Sequence, residues 1–578
     1  MKKISASLEK YFNRTIAFFV NRHPLVQGVF TLGLIVSCLY FAYSPALRLG
    51  YIHHDDILFF LNHWTYKAYG CFSFNFSSGR FVGAFILEYA TLIVNTVAQL
   101  TLLRYFTFFI LSMCALFLVR WYHRRLLSFQ ESLFFVLIVF TLPYFEIVVS
   151  YAGIFFHAIA LFISIGSGFL AYQSAQKVFS SKILKYAWIF FSVFLFVLAL
   201  SIYQSVAVFY WALLGPVILF SKKENFARVK RQIIFYYGIG MTSMVFYAGL
   251  LQIAKQFLLA SAQKGYNPYD MSFSLWQKLI WFAQEPLVNS LNLWNVYPSV
   301  AIAIGVLIII VGSLSYFGFV FFRDLKEEGF FGKEIFVHFA WRVGAFVPLF
   351  FLSFLPNLLW PGKAPFYRCC LGPVFLIMCL LFWSFKQWMG VFSLPRKKVL
   401  AGSILLLIVL MGTFLSQRNI YQFIAYPNHV EFEFFKKQLA SKNLDRDQQI
   451  YLVHPGSGVL KERYDEFGFQ TSNAPQDRFG FFVGALRDVL RKEYFFIGIK
   501  FDFEKDRFLC AIGDEQKRNP FVLSLDIQSR TLKDMEKFPE NSLVVDTTTL
   551  YGPGGPLEYL KASPETSGLQ DDLSRKEP

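Results

Sequence analysis

Long apolar runs recur along the chain as far as Ser416, each closed off by a short polar or basic stretch. A helix rises 1.5 Å per residue, so about 20 apolar residues cross the roughly 30 Å hydrocarbon layer of a bilayer. A soluble core accounts for one such run, but not for ten. The pattern predicts spans near 26–46, 103–119, 130–148, 151–172, 186–201, 204–220, 232–253, 297–320, 336–356, 369–385 and 399–416. The expected fold class is a multi-pass α-helical membrane protein with about 11 transmembrane helices.

The stretch Arg80–Leu100 is also apolar, and counting it as a span inverts every later loop. "RWYHRRLL", with Arg120, Arg124 and Arg125, would then face outward. Basic loops stay on the cytoplasmic side. The expectation is therefore that 80–100 lies along the outer face. "QKVFSSKILK", "SKKENFARVKRQ", "FRDLKEEGFFGK" and "KQWMGVFSLPRKK" then all become inner loops. The N-terminus is expected in the cytoplasm, and residues 417–578 outside.

After Ser416 the pattern changes. Charge becomes frequent, and short β-rich runs appear: "QIYLVHP", "YFFIGIKFD", "RFLCAIGD" and "NSLVVDTT". Helical stretches are expected near 429–441 and 480–492. The predicted organisation is a basic N-terminus (1–25), a membrane domain (26–416) with an outer-face loop at 47–100, and a small extracytoplasmic α/β domain (417–552). The tail at 553–578 is rich in Pro, Gly and charge and is expected to be disordered.

Composition agrees with that division. Only 16% of residues are charged, against about a quarter in soluble domains. Residues before Arg418 hold 33 Lys+Arg and 13 Asp+Glu, and those from Arg418 onward hold 22 and 25. The basic excess thus belongs to the membrane part, as the positive-inside bias requires, and calls for no nucleic-acid partner. The seven cysteines form no CxxC pair, which leaves zinc and redox motifs out.

The candidate chemistry collects on one face. "YIHHDDILFF" places His53, His54, Asp55 and Asp56 just beyond the first span. Carboxylates so near lipid are costly unless they face water or a partner. Adjacent carboxylates suit a general base, a metal pair, or a base held by a cation-paired neighbour. Neighbouring residues point in different directions, so all four are not expected on one ion, and no metal is assigned. Asp55, nearer the membrane exit, is favoured over Asp56 as base. Arg80, Arg368 and Lys363 stand at outer span ends, where a guanidinium grips phosphate or simply reaches the headgroups. Glu88 and Glu146 are further outer-face acids. Tyr203 and Gln204 occupy a tight outer connection, where they bind substrate or merely cap two helices.

The order of these pieces resembles the bacterial GT-C type serotype-converting O-antigen glucosyltransferases. A first span leads to "HHDD", followed by "SSGRF", "LPYFE", "YQ" and an arginine after a Pro/Lys loop, with "DEFG" (Asp465 to Gly468) in the soluble part. The chain departs from that pattern at Phe81, where proline is expected after "GR". It departs again after "LPYFE", where apolar residues and His157 replace an expected polar residue. The resemblance implies a hexose donor, glucose in the usual case, linked to a polyprenyl phosphate. It implies transfer to a cell-surface glycan at the outer face of the bacterial inner membrane, with Asp55 or Asp56 as base and Arg80, Arg368 and Lys363 on the donor phosphate. A single donor phosphate makes no cofactor obligatory. The rival class is a transporter or flippase of lipid-linked glycans, whose spans would carry midplane charges and paired broken helices.

Overall fold

The computed structural model describes residues 24–53, 56, 72, 75–76, 78–94, 96–176, 181–221, 226–258, 275–296, 299–327, 332–359, 367–391 and 397–440. In the C-terminal part it describes 449–454, 485, 496–502, 507–514, 519–531, 543–546, 550 and 554–556. The basic N-terminus, His54, Asp55, Lys363, "DEFG" and almost all of 480–492 and the tail lie outside those residues.

The long helices are α1 (Pro24–Arg48), α2 (Phe81–Ile93), α3 (Val97–Arg125), α4 (Phe129–Phe140), α5 (Pro143–Ser150), α6 (Phe156–Gln176) and α7 (Lys182–Ile202). They continue as α8 (Phe226–Leu258), α9 (Val300–Glu327), α10 (Gly332–Leu352), α11 (Leu371–Val391), α12 (Lys397–Ile420) and α13 (Tyr426–Ala440). Among the described residues, seven helices are long and apolar enough to cross a membrane, or eight if α4 and α5 form one bent span. Large apolar side chains face outward along them, as lipid contact requires: Val29, Phe190 and Leu407 are each 65% exposed.

Two span boundaries differ from the sequence pattern. α3 starts at Val97 rather than near 103, because Thr96 caps it by accepting a hydrogen bond from the Gln99 N–H at 3.2 Å. The apolar stretch 80–100 is therefore two elements. Its first part, α2, has 13 residues and is about 20 Å long, too short to cross the hydrocarbon layer upright. The run 204–220 is not one helix but three short ones, Gln204–Ala207, Phe209–Ala212 and Leu214–Phe220. Between α4 and α5 the axis bends by 62°. Pro143 starts α5 and lacks the N–H that would carry α4 onward.

Small residues let the helices close. Ser167 on α6 and Ser192 on α7 each donate to the other's carbonyl, at 2.7 and 2.9 Å. Tyr210 and Tyr236 do the same across the next interface, at 3.0 and 2.6 Å, with their rings stacked. A Cβ on Gly83 of α2 would stand 2.4 Å from the Ile202 carbonyl oxygen, so only glycine lets α2 rest on the end of α7.

Five strands follow: β1 (Gln449–His454), β2 (Phe496–Asp502), β3 (Arg507–Asp514), β4 (Asn519–Thr531) and β5 (Leu543–Asp546). They form one sheet in the order β2-β3-β4-β1-β5. β2, β3 and β4 are antiparallel neighbours, while β1 lies parallel to both β4 and β5. β1, β2, β3 and β5 fall on the four β-rich runs. β4 was not expected, since charged and polar residues interrupt "NPFVLSLDIQSRT".

Candidate active site

The loop after α1 is tied down from three directions. Tyr51 donates its hydroxyl to the Ser150 carbonyl at 2.8 Å. Arg104 enters from α3, about two turns beyond Val97. Its Nε donates to the same Ser150 carbonyl at 2.9 Å, and its Nη2 to the Tyr51 carbonyl at 3.0 Å. Nη2 also meets Asp56 Oδ2 at 2.8 Å. Asp56 accepts further bonds from the His53 N–H at 3.0 Å and, on Oδ1, from the Gly153 N–H at 2.7 Å. Both charged side chains are 0% exposed. Such a pair survives burial because each charge meets the other and their remaining groups are bonded.

The aromatic rings finish the enclosure. The Arg104 guanidinium lies 3.8 Å from the Tyr51 ring centroid, and His53 stacks on Tyr151 at 3.5 Å. Burial pushes the Tyr51 phenol up to about 12, against an opposing pull from Arg104. It therefore stays a hydroxyl donor at any physiological pH. His429 on α13 covers the same loop, with its Nδ1 2.7 Å from the Gly50 carbonyl oxygen. A general base must reach the hydroxyl it deprotonates. Asp56, sealed and engaged on both oxygens, is placed as an anchor, which departs from the catalytic role expected of it.

A second cluster forms around Arg80. The turn before α2 closes when the Arg80 N–H donates to the Asn75 carbonyl at 2.9 Å and the Gly79 N–H to the Phe76 carbonyl at 3.0 Å. Gly79 has φ +80°, and a Cβ there would lie 2.4 Å from Leu251 Cδ2 and 2.6 Å from Tyr247 Oη. Gln204 holds this turn by donating Nε2 to the Ser78 carbonyl at 2.7 Å and to Tyr247 Oη at 2.6 Å. Tyr247 in turn donates to the Gly79 carbonyl at 2.9 Å. The "SSGR" and "YQ" motifs, remote in sequence, are thus one unit.

Arg80 itself is half-buried. Its Nη1 donates to Asn75 Oδ1 at 3.2 Å and its Nε to Gln204 Oε1 at 3.4 Å. Its guanidinium stands 4.5 Å from the Tyr203 ring centroid, and that ring stacks on His157 at 3.7 Å. Arg368 lies in the 3-10 turn Tyr367–Cys369, just before α11. Both arginines are near enough to act on His157. They also act on Cys369, whose thiol burial pushes up while the two guanidinium groups draw it back. Tyr203, Gln204, Arg80 and Arg368 therefore converge, with His157 among them.

Other expected residues stand apart. Glu88 is half-buried on α2, two turns from Arg80. Glu146 is 0% exposed and lies inside the helix packing of α5, where Asn419 of α12 donates to its Oε1 at 3.5 Å. It is not presented at an outer surface, as the sequence suggested. Among the described residues no group of three or more His, Cys, Asp or Glu is arranged to hold a metal ion.

The sequence reading missed Arg104, Asn75 and Tyr247. Arg104 did carry a signal, as the single charged residue between Glu88 and Arg120 in an otherwise apolar stretch. A charge at that depth calls for a partner. Asn75 and Tyr247 gave none, because their roles depend on segments distant in sequence.

No family model matches the chain, and no curated protein matches it. The segment 151–157 joins the two clusters. Gly153 bonds to Asp56, and four residues later His157 stacks on Tyr203. One end of the bundle thus combines an anchored acidic loop with two converging arginines. Such a set can hold a phosphate through the guanidinium groups and take a proton from a hydroxyl through a carboxylate.

Proposed function

We propose that the protein is an integral-membrane glycosyltransferase of the GT-C type. It moves a hexose, glucose in the first instance, from a polyprenyl-phosphate donor to a cell-surface glycan such as O-antigen. The observation that carries this reading is the convergence of Arg80 and Arg368 near His157 and Tyr203, one short segment away from the loop of Asp55 and Asp56. A lipid-linked donor reaches its enzyme through the bilayer, so its phosphate is met at a membrane interface. As the C1–O bond to phosphate breaks, its electron pair leaves on the phosphate oxygen, where the two arginines stabilise the growing charge. The acceptor oxygen forms the new bond to C1, and its proton passes to an aspartate of the 55–56 pair. Lys363 is a further phosphate contact, and His53, His54 and Glu88 line the approach of the sugar or acceptor.

In this reading the membrane is the bacterial inner membrane, crossed by about eleven spans. The N-terminus is cytoplasmic, and the acidic loop and the α/β unit with its five-stranded sheet are periplasmic. A cysteine label at position 123, at the basic end of α3, tests the orientation. It should react from the cytoplasmic side alone, and reaction from outside would reverse the assignment.

One observation favours the rival transporter reading: the 62° bend between α4 and α5, beside the buried Glu146. Transporters pair such breaks about a repeat axis, and among the described residues a single bent pair meets the criteria. The deciding experiment supplies purified protein in vesicles with polyprenyl-phosphate hexose and a glycan acceptor, then measures product mass. Gain of one hexose by the acceptor supports the transferase. Movement of intact donor between leaflets without bond cleavage supports the transporter.

A further inference from the structure

We infer that Arg104 and Asp56 form a positioning pair that fixes the loop carrying Asp55, and that Asp55 alone takes the acceptor's proton. This rests on the glycosyltransferase reading and divides the labour within its acidic pair.

The geometry separates the two aspartates. Asp56 is fully buried, with one oxygen on Arg104 and the His53 N–H and the other on the Gly153 N–H. A glycan hydroxyl has no approach to it. Asp55 is the next residue, so its Cα lies about 3.8 Å from that of Asp56. Whatever fixes Asp56 therefore fixes the origin from which Asp55 extends.

Stability alone does not call for such a pair. A buried ion pair replaced by well-packed apolar side chains often costs nothing. What the charged pair adds is direction. Five hydrogen bonds run from Arg104 and Asp56 to Ser150, Tyr51, His53, Gly153 and each other. They clamp residues 51–56 against residues 150–153. The second of these segments runs straight on to His157, which stacks on Tyr203 beneath the influence of Arg80 and Arg368. Arg104 thus sets the separation between the proton acceptor and the phosphate site. A reaction that needs both groups at once is sensitive to that distance, and a misplacement of about 1 Å can cost 100-fold.

The test uses the full chain in vesicles with polyprenyl-phosphate hexose, at matched protein amounts. Asp55→Asn should lower kcat by about 100-fold or more. Asp56→Asn and Arg104→Gln, each leaving a lone buried charge, should lower kcat severely. The double variant Arg104→Gln/Asp56→Asn removes both charges and should recover to within about tenfold of wild type, with donor KM changed less than about threefold. A well-folded double variant as inactive as Asp55→Asn makes Asp56 a chemical participant and overturns the inference. So does Asp55→Asn retaining more than about a tenth of wild-type kcat. If the double variant does not accumulate, Arg104→Lys decides. Lysine keeps the charge but not the fork that reaches two carbonyls, so kcat should fall about tenfold or more at unchanged donor KM. Unchanged kcat overturns the inference. A wild-type protein without transfer activity defeats the functional reading instead. The positioning claim is then read from a spin label on a cysteine at 55 in a chain whose native cysteines are alanine. Restricted motion that Arg104→Gln releases supports it, and equal motion in both backgrounds overturns it.

Discussion

Arg104 and Arg80 stand near the same end of the helical bundle and are held in opposite ways. Arg104 is 0% exposed and ion-paired, and spends its bonds on Asp56 and two backbone carbonyls. Arg80 is half-buried, rests beside an aromatic ring, and is oriented by the neutral amides of Asn75 and Gln204. Amide partners set a guanidinium's direction without neutralising its charge. A carboxylate partner in a sealed site does both. The contrast assigns Arg104 to architecture and Arg80 to a ligand bearing negative charge.

The largest effect should come from breaking the sealed side of this comparison. Arg104→Ala leaves the Asp56 carboxylate buried without its cation, and should destabilise the protein by about 3–5 kcal/mol. Thermal unfolding in detergent measures this, and a change within about 0.5 kcal/mol would erase the distinction between the arginines. Gly79→Ala comes next. It forces a side chain into a left-handed backbone conformation and against Tyr247 and Leu251, for a loss of about 1–3 kcal/mol. Donor use should fall with it, since the same turn aims Arg80.

Arg80→Ala should leave unfolding almost unchanged and raise donor KM about tenfold or more, which corresponds to about 1.4 kcal/mol. Arg80→Lys should recover part of that loss, because the charge returns without the planar fork. Equal unfolding losses for Arg80→Ala and Arg104→Ala would show that both are architectural. The smallest effect is expected from EDTA, which should leave transfer unaltered because the donor carries one phosphate. Abolition by EDTA and rescue by magnesium or manganese would move the carboxylates from proton transfer to metal binding.

Much of the membrane fold was legible, because a bilayer-spanning helix announces itself as an apolar run. The acids at 55–56 and the arginine at 80 were legible too, since charge beside such runs is conspicuous. The break at 94–96 was not, because Thr96 stops one helix and starts the next without interrupting the apolar character. Glu146 was misjudged for a related reason. Its position beside a proline–aromatic turn marks a helix end, but the 62° bend turns that end into the packing against α12. The Arg80 cluster shows the remaining limit. "SSGR" and "YQ" are visible as strings, yet Tyr247, which bonds to both, sits on a helix whose sequence has no distinguishing mark there.

Between α12 and α13, residues Tyr421–Ala425 wind as a π-helix. A π-turn holds one more residue than an α-turn, so this stretch acts as an angular offset in a helix that otherwise advances about 100° per residue. Everything beyond it, including His429 with its hold on the Gly50 carbonyl, points where it does because of that one surplus residue. Deleting any residue from 421–425 would restore regular winding and swing His429 about 100° off the acidic loop. Exchanging one side chain there for another would leave the angle untouched. At this point the chain encodes orientation by length rather than by residue type, and α13 works as a dial whose setting is a residue count.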